Sequence, residues 1–236
     1  MFEHFHYSDV DSLTISSPSS NIEVLVSEQA GSRLDLALEK IRWPAGANLT
    51  VTQRGRSVNV EVVNETQNPR CQVDFKITAP RHLNLNFSAG NCAKATIQDL
   101  AGLTFFKVGN LNELYGKNTG SIDLDVGNLN HALLEDIHDE LRCKMGTGNL
   151  RVVYHSLTSN RQIAINAGVA DFKLQAPIAT IINDNLMLPK FTVEKRIDHF
   201  DSENPRAHQI SLAGKIGVGS VNVQILNPVP RNRGRF

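Results

Sequence analysis

Two neighbouring stretches, LTFFKVGNLNELYG at 103–116 and SIDLDVGNLNHALLE at 121–135, decide the fold. Each stretch begins with alternating apolar and polar residues, continues through a Gly-Asn pair, and ends in a second alternating run. Alternation with a period of two is typical of β-strands. A strand, a Gly-Asn corner and another strand, repeated at short spacing, predict a repetitive all-β structure.

Four more copies of this unit surround the first two: LNLNFSAGNCAKATI at 83–97, ELRCKMGTGNLRVVYHS at 140–156, QIAINAGVADFKLQA at 162–176 and GKIGVGSVNVQIL at 214–226. The polar corner residue stands at positions 91, 110, 128, 149, 171 and 220, so the intervals are 19, 18, 21, 22 and 49 residues. The shorter intervals match one coil of a β-solenoid. The last interval predicts two coils with an insertion.

The spacing therefore predicts an all-β fold, a β-solenoid with coils of about 18–22 residues. Residues 1–80 are predicted to be a β-strand region continuous with this solenoid. Residues 81–226 form its coils, with a loop inserted near 190–206, and residues 227–236 form a basic tail.

The corners combine glycine with a polar residue. We expect glycine to supply a positive φ there, and asparagine tolerates the left-handed region better than most residues. The asparagines are also expected to stack as an amide ladder, which is a structural role. The predicted corner residues are Gly90, Asn91, Gly109, Asn110, Gly127, Asn128, Gly148, Asn149, Gly168, Asp171, Gly219 and Ser220.

Apolar residues recur on both sides of each corner, which predicts columns that face the core. One column lies directly before the first glycine of the corner, and another lies directly after the polar residue. The predicted core columns are Val108, Val126 and Met145 before the corner, and Leu111, Leu129, Leu150, Phe172 and Val221 after it.

Charged residues occupy outward positions of the first strands and are predicted to form an exposed charge ladder: Lys107, Asp123, Asp125, Arg142 and Lys144. If the copies stack about 4.8 Å apart, Lys107, Asp125 and Lys144 alternate in sign, and Asp123 faces Arg142. Such exposed pairs specify register more than they add stability. Because Asp123 and Asp125 both belong to such pairs, neither is left free for catalysis. We therefore predict no catalytic residue and expect a protein that is not an enzyme.

Cofactor and metal motifs are not evident. The chain has neither a P-loop nor a dinucleotide-binding glycine fingerprint. His4 and His6, and the acidic segment 135–140 with His138, were weighed as metal sites, but neither has the spacing of a complete ligand set. Cys71, Cys92 and Cys143 form no C-x-x-C pair and are interpreted as reduced thiols. We therefore predict no cofactor and no metal.

The charge balance constrains the partners. Lys and Arg number 24 and Asp and Glu number 24, whereas nucleic-acid binders carry a basic excess. No stretch approaches the roughly 20 apolar residues of a membrane span. We thus expect no nucleic-acid partner and no membrane insertion. The N-terminus lacks the pattern of a signal peptide, so we expect a cytoplasmic location if the chain is full length, and the cell surface if a leader was removed.

The strand VDFKITAP at 73–80 ends in Pro80 and leads into one copy after another, and two corners read Gly-x-Gly-polar, at 146–149 and 217–220. In these features the chain, over about 21–226, resembles the putative adhesin family of bacterial proteins, which are adhesin-like or auto-transporter-adhesin-like β-strand-repeat proteins. The resemblance implies a right-handed β-solenoid or β-prism-like fold and no established catalysis.

Three functions are compatible with these features. The favoured one is a non-catalytic, adhesin-like interaction or scaffold protein with a protein or glycan partner. The second is a self-assembling β-solenoid that polymerises into a homo-oligomer by end-to-end or edge stacking, because unprotected terminal strands invite pairing. The third is a carbohydrate-active β-helix enzyme.

Overall fold

The structure is a computed structural model that describes residues 2–27, 31–64, 71–177, 180–189, 193–197 and 208–226. Within these residues the chain is all-β and has no helix. The predicted basic tail, 227–236, lies outside the described residues. The strands are β1 (Phe2–Tyr7), β2 (Ser12–Ser19), β3 (Ile22–Val26), β4 (Leu34–Arg42), β5 (Ala47–Arg54), β6 (Ser57–Asn64), β7 (Gln72–Ala79), β8 (Asn84–Gln98), β9 (Thr104–Lys117), β10 (Ile122–Glu135), β11 (Glu140–Val153), β12 (Arg161–Pro177), β13 (Thr180–Met187), β14 (Val193–Ile197) and β15 (His208–Leu226).

The long strands are bent, and their burial pattern shows where. In β8, buried and more exposed residues alternate up to Ala89, but Gly90 and Asn91 are both exposed, and so are Ala93 and Lys94. Successive side chains of a straight strand face opposite sides, so two exposed neighbours mark a bend. Each of β8, β9 and β10 therefore consists of a first arm, a short middle segment and a second arm, which are 84–89, 90–93 and 94–98 in β8.

The bent strands pair in parallel and in register. Strand β8 pairs with β9, β9 with β10, β10 with β11, and β11 with β12. At the N-terminal end, β2 pairs with the first arm of β8 and β3 with its second arm. Antiparallel pairs β5–β6, β4–β7 and β1–β4 lie beyond them, so the sheet is mixed. The sheet is also open, because its longest path ends at β1 and at β13.

The C-terminal strands do not pair in chain order. Strand β15 lies between β12 on one side and β13 and β14 on the other. Asp171 is therefore the register partner of Ser220, although 49 residues separate them. Part of the segment that we predicted as an inserted loop, 190–206, is strand β14, and the remainder lies outside the described residues.

One hydrophobic core runs between the first and second arms along the whole stack. All members of the predicted core columns are buried within it: Val108, Val126, Met145, Leu111, Leu129, Leu150, Phe172 and Val221. In the described part of the chain no helix has the length and apolar character needed to cross a membrane.

Candidate binding groove

The corner glycines are needed for a reason that differs from our prediction. Among the predicted corner glycines only Gly219 has a positive φ, at 130°, and none of the corner asparagines does. Instead, the corners stack in close contact. A Cβ on Gly109 would lie 2.6 Å from the carbonyl oxygen of Gly90, and a Cβ on Gly127 would lie 2.5 Å from that of Gly109. The corner column thus requires glycine because no side chain fits between the stacked backbones.

A first amide ladder runs along these corners. Asn110 donates from Nδ2 to Oδ1 of Asn91 at 2.9 Å, and Asn128 donates to Asn110 at 2.8 Å. The next step is made by a hydroxyl, because Thr147 Oγ1 donates to Oδ1 of Asn128 at 2.9 Å. The predicted ladder therefore forms over three asparagines, and Thr147 rather than Asn149 continues it.

Asn149 belongs to a second amide ladder at the other end of the middle segment. Asn130 donates to Oδ1 of Asn112 at 2.9 Å, and Asn149 donates to the backbone oxygen of Asn130 at 2.9 Å. On the next strands Asp171 takes the position of Asn149 and accepts a hydrogen bond of 2.6 Å from Ser220. The middle segments thus carry one polar ladder along each edge.

The register between β10 and β11 corrects the sequence alignment. We aligned Leu129 with Leu150, but the structure pairs Leu129 with Gly148 and, after a register shift, Ala132 with Leu150. The middle segment of β11 is shorter than that of β10. As a result, Asn149 does not share the register position of Asn128. Glycine is required at Gly148 because a Cβ there would lie 2.5 Å from the backbone oxygen of Leu129.

The two ladders border a groove of about 350 Å³ over the middle segments of β8, β9 and β10. Ala93 holds the position that asparagine holds on the next two strands, and its short side chain leaves room between the ladders. No described residue of the lining carries a formal charge: Ser19, Asn21, Gln72, Asn91, Cys92, Ala93, Asn110, Leu111, Asn112, Asn128 and Asn130. We call this cavity the asparagine groove.

The floor of the groove is closed and unreactive. Leu111 and Cys92 are 1% and 2% exposed, so they separate the groove from the core. Burial raises the pKa of the Cys92 thiol to about 12. Because thiolate is the nucleophilic form of cysteine, Cys92 supplies an apolar surface and no reactive group near neutral pH.

The charged residues of the first arms have the predicted register. Asp125 is opposite Lys107 on one side and Lys144 on the other, and Asp123 is opposite Arg142. Lys144 Nζ lies 3.7 Å from Oδ1 of Asp125. Arg142 forms its ion pair with Glu140, at 2.8 Å, and not with Asp123. Its pKa is raised chiefly by the hydrogen bond to Glu140, with a smaller effect of Asp123.

The two metal-site candidates are placed as follows. His4 and His6 lie on the same exposed side of β1, and Nδ1 of His6 contacts Oδ1 of Asp35 at 2.5 Å. His138 contacts the amide oxygen of Asn118 through Nε2. The described residues bring no three His, Cys, Asp or Glu side chains together as a metal-binding group.

A set of turn residues escaped the sequence analysis. Asp99, Asn118 and Asp136 follow the second arms and have positive φ values of 61°, 54° and 51°. Asn118 donates to Asp99 at 2.5 Å, and the ring of His155 contacts Asp136 at 2.8 Å. Their spacing of 19 and 18 residues equals that of the Gly-Asn corners, so the signal was present in the sequence.

No family model and no curated protein matches this chain. Several solved structures are similar at low identity. A putative cell adhesion protein from Clostridium sporogenes shares 13% identity over 96% of this chain and 100% of its own, with a TM-score of 0.39. A putative adhesin from Bacteroides fragilis shares 14% identity over 95% of this chain and 97% of its own, with a TM-score of 0.35. A putative lipid binding protein from Parabacteroides distasonis shares 13% identity over 94% of this chain and 96% of its own, with a TM-score of 0.31. As predicted from the sequence, putative adhesins are among the proteins that this chain resembles.

Proposed function

We propose that this protein is a non-catalytic, adhesin-like interaction protein built as a β-solenoid, and that it binds a neutral glycan in the asparagine groove. The in-register parallel pairing of β8 to β12 supports the solenoid description. The observation that carries the function is the uncharged lining of the groove between two amide ladders.

The chemistry of the ladders suits hydroxyl groups. A primary amide has two N–H donors and an oxygen with two lone pairs. The two ladder bonds of Asn110 together use one N–H donor and one lone pair of its amide. One N–H and one lone pair per amide are left for a ligand, and a sugar hydroxyl both donates and accepts. The volume of about 350 Å³ lies in the range of small-molecule sites.

In the described part of the chain, the charged partners of the two first-arm aspartates favour binding without catalysis. Glycoside hydrolysis needs one carboxyl group as acid and a second as nucleophile or base. Asp125 is held by Lys144, and Asp123 lies opposite Arg142. Among the described residues that line the groove there is no Asp or Glu.

A glycan array tests this proposal directly. We expect the wild-type protein to bind neutral oligosaccharides, and Ala93→Trp to abolish that binding by filling the groove without removing a ladder bond. Ala101→Trp, which makes the same change at an exposed turn outside the groove, should bind like the wild type. The proposal fails if neutral glycans do not bind, or if Ala93→Trp binds them as well as Ala101→Trp does.

The polymerising alternative rests on the exposed edges of the stack. Among the described residues β13 pairs only with β15, and Met187 at its end is 71% exposed. An unpaired edge of this kind is a site for strand addition. Sedimentation velocity over a hundredfold range of concentration distinguishes the two functions. A single species of about 26 kDa contradicts self-assembly, and a growing series of oligomers supports it.

A further inference from the structure

Two positive charges lie next to each other on the second arms of β11 and β12. Arg151 and Lys173 are register partners, and both are exposed. Like charges directly opposite each other in a sheet are destabilising. On the first arms the arrangement is the reverse, because Asp125 separates Lys107 from Lys144. The second arms thus keep an unfavourable pair where the first arms avoid one.

Within the described ranges of the chain, no carboxylate offsets this pair. Neither Arg151 nor Lys173 forms an ion pair with a described acidic residue. Both line a cavity of about 240 Å³ whose described lining contains no acidic side chain: Arg151, Lys173, Leu174, Gln175, Asn222 and Gln224. We call this cavity the Arg151–Lys173 cleft. An anion that enters it would relieve the repulsion between the two cations.

The amides of the cleft hold the guanidinium in place. Arg151 Nη2 donates to Oε1 of Gln175 at 2.6 Å, and Gln175 Nε2 donates to Oε1 of Gln224 at 3.2 Å. A guanidinium has five N–H donors, so this bond leaves donors for a ligand. Asn222 is the register partner of Lys173 and adds another amide to the cleft.

We propose that the Arg151–Lys173 cleft binds the sulfate or carboxylate group of an acidic glycan. Guanidinium and ammonium groups form strong charge-assisted hydrogen bonds with such anions, and the neighbouring amides suit the hydroxyls of the same sugar. The part of the lining that the structure describes offers no aromatic ring on which a nucleic-acid base could stack. This inference rests on the proposed glycan-binding function but uses a site separate from the asparagine groove.

Calorimetric titration with three defined hexasaccharides tests the cleft: chondroitin sulfate, which carries sulfate and carboxylate, hyaluronan, which carries carboxylate alone, and uncharged chitohexaose. Arg151→Gln and Lys173→Gln should each weaken binding of a charged hexasaccharide about tenfold. Lys107→Gln removes an exposed lysine from a first arm and should leave the affinity unchanged. Thermal melts of all variants check that the fold is intact, and Arg151→Lys should retain part of the affinity.

The outcomes separate the two sites. Binding of both charged hexasaccharides assigns carboxylate recognition, and binding of chondroitin sulfate alone assigns sulfate. If Arg151→Gln and Lys107→Gln weaken binding equally, or if a ten-nucleotide single-stranded DNA competes as well as the sugars, the cleft proposal is wrong. Loss of chitohexaose binding in Ala93→Trp with retained binding of a charged hexasaccharide supports two sites. Charged binding that depends on Arg151, without any neutral binding, supports the cleft and contradicts the groove.

Discussion

At the scale of the residue, the corner glycines show how stacking restricts the sequence. We attributed them to backbone conformation, yet Gly109 and Gly127 have no positive φ and are restricted by the carbonyl oxygen of the preceding corner. A single stretch of sequence indicates that glycine is required, but the neighbour that excludes a side chain is known only once the strands are stacked.

Gly127→Ala should destabilise the protein by about 1–3 kcal/mol, because its Cβ would lie 2.5 Å from the backbone oxygen of Gly109. Gly116→Ala is the control, since its nearest atom, at 2.8 Å, is Cδ2 of Leu134, the end of a side chain that can move. Urea unfolding measures both. Equal losses of unfolding free energy would show that crowding at the corner is not the cause.

Leu129→Asp should lower the free energy of unfolding by about 3 kcal/mol or more, because Leu129 is 2% exposed and the new carboxylate would be buried without a partner. Asn130→Asp adds the same charge at the next, exposed position and is the control, in which only the smaller loss of the ladder bond to Asn112 is expected. An unchanged melting temperature for Leu129→Asp would mean that the column does not face the core.

The cysteines are expected to be unreactive in the folded protein. Burial raises the pKa of the Cys143 thiol, like that of Cys92, to about 12, and it also raises the pKa of Cys71. An unfolded thiol has a pKa of about 8.5, so the folded state retains the proton. The contribution of the buried, protonated thiols to the free energy of unfolding is fully present below the unfolded pKa. It declines as the pH rises from there towards the folded pKa.

A thiol reagent measured by absorbance at pH 8 checks this prediction. The native protein should react negligibly, and urea should expose all three cysteines. Rapid labelling of one thiol without urea would contradict the burial of that cysteine.

At the scale of the element, alternation and corner spacing predicted much of β8 to β12. The inward columns and the facing charges of the first arms follow from a period of two and from glycine as a marker. The shift at Leu129 was missed because alignment on the polar residue assumes middle segments of equal length, whereas that of β11 is shorter. The turns at Asp99, Asn118 and Asp136 were missed because we followed only the corners that join a glycine to a polar residue.

The amide ladders predict unequal effects for neighbouring asparagines. Asn110 takes part in two ladder bonds and Asn112 in one. A net hydrogen bond contributes about 0.5–1.5 kcal/mol, and both sites are exposed, so the lower end of that range applies. Asn110→Ala should therefore cost about twice as much unfolding free energy as Asn112→Ala. Urea denaturation compares them, and a larger loss for Asn112→Ala would contradict the ladder.

At the scale of the whole molecule, the bent strands connect two sets of terminal strands. The first arms continue into β2, β6 and β5, and the second arms into β3, β7, β4 and β1. The position of β15 between β12 and β13 was beyond sequence reasoning, because β15 has the same local pattern as the other copies and only long-range pairing selects its neighbours.

The central claim is that the strands stack in parallel and in register, since both amide ladders and the groove depend on it. Paired cysteines test it through disulfide formation, which requires Cα atoms less than about 7 Å apart. Lys107 and Asp125 are register partners, whereas Asp123 is displaced by two residues. Mild oxidation of Lys107→Cys with Asp125→Cys should give an internal disulfide, while Lys107→Cys with Asp123→Cys should stay reduced. Preferential cross-linking of the displaced pair, or none in either, would contradict the stack.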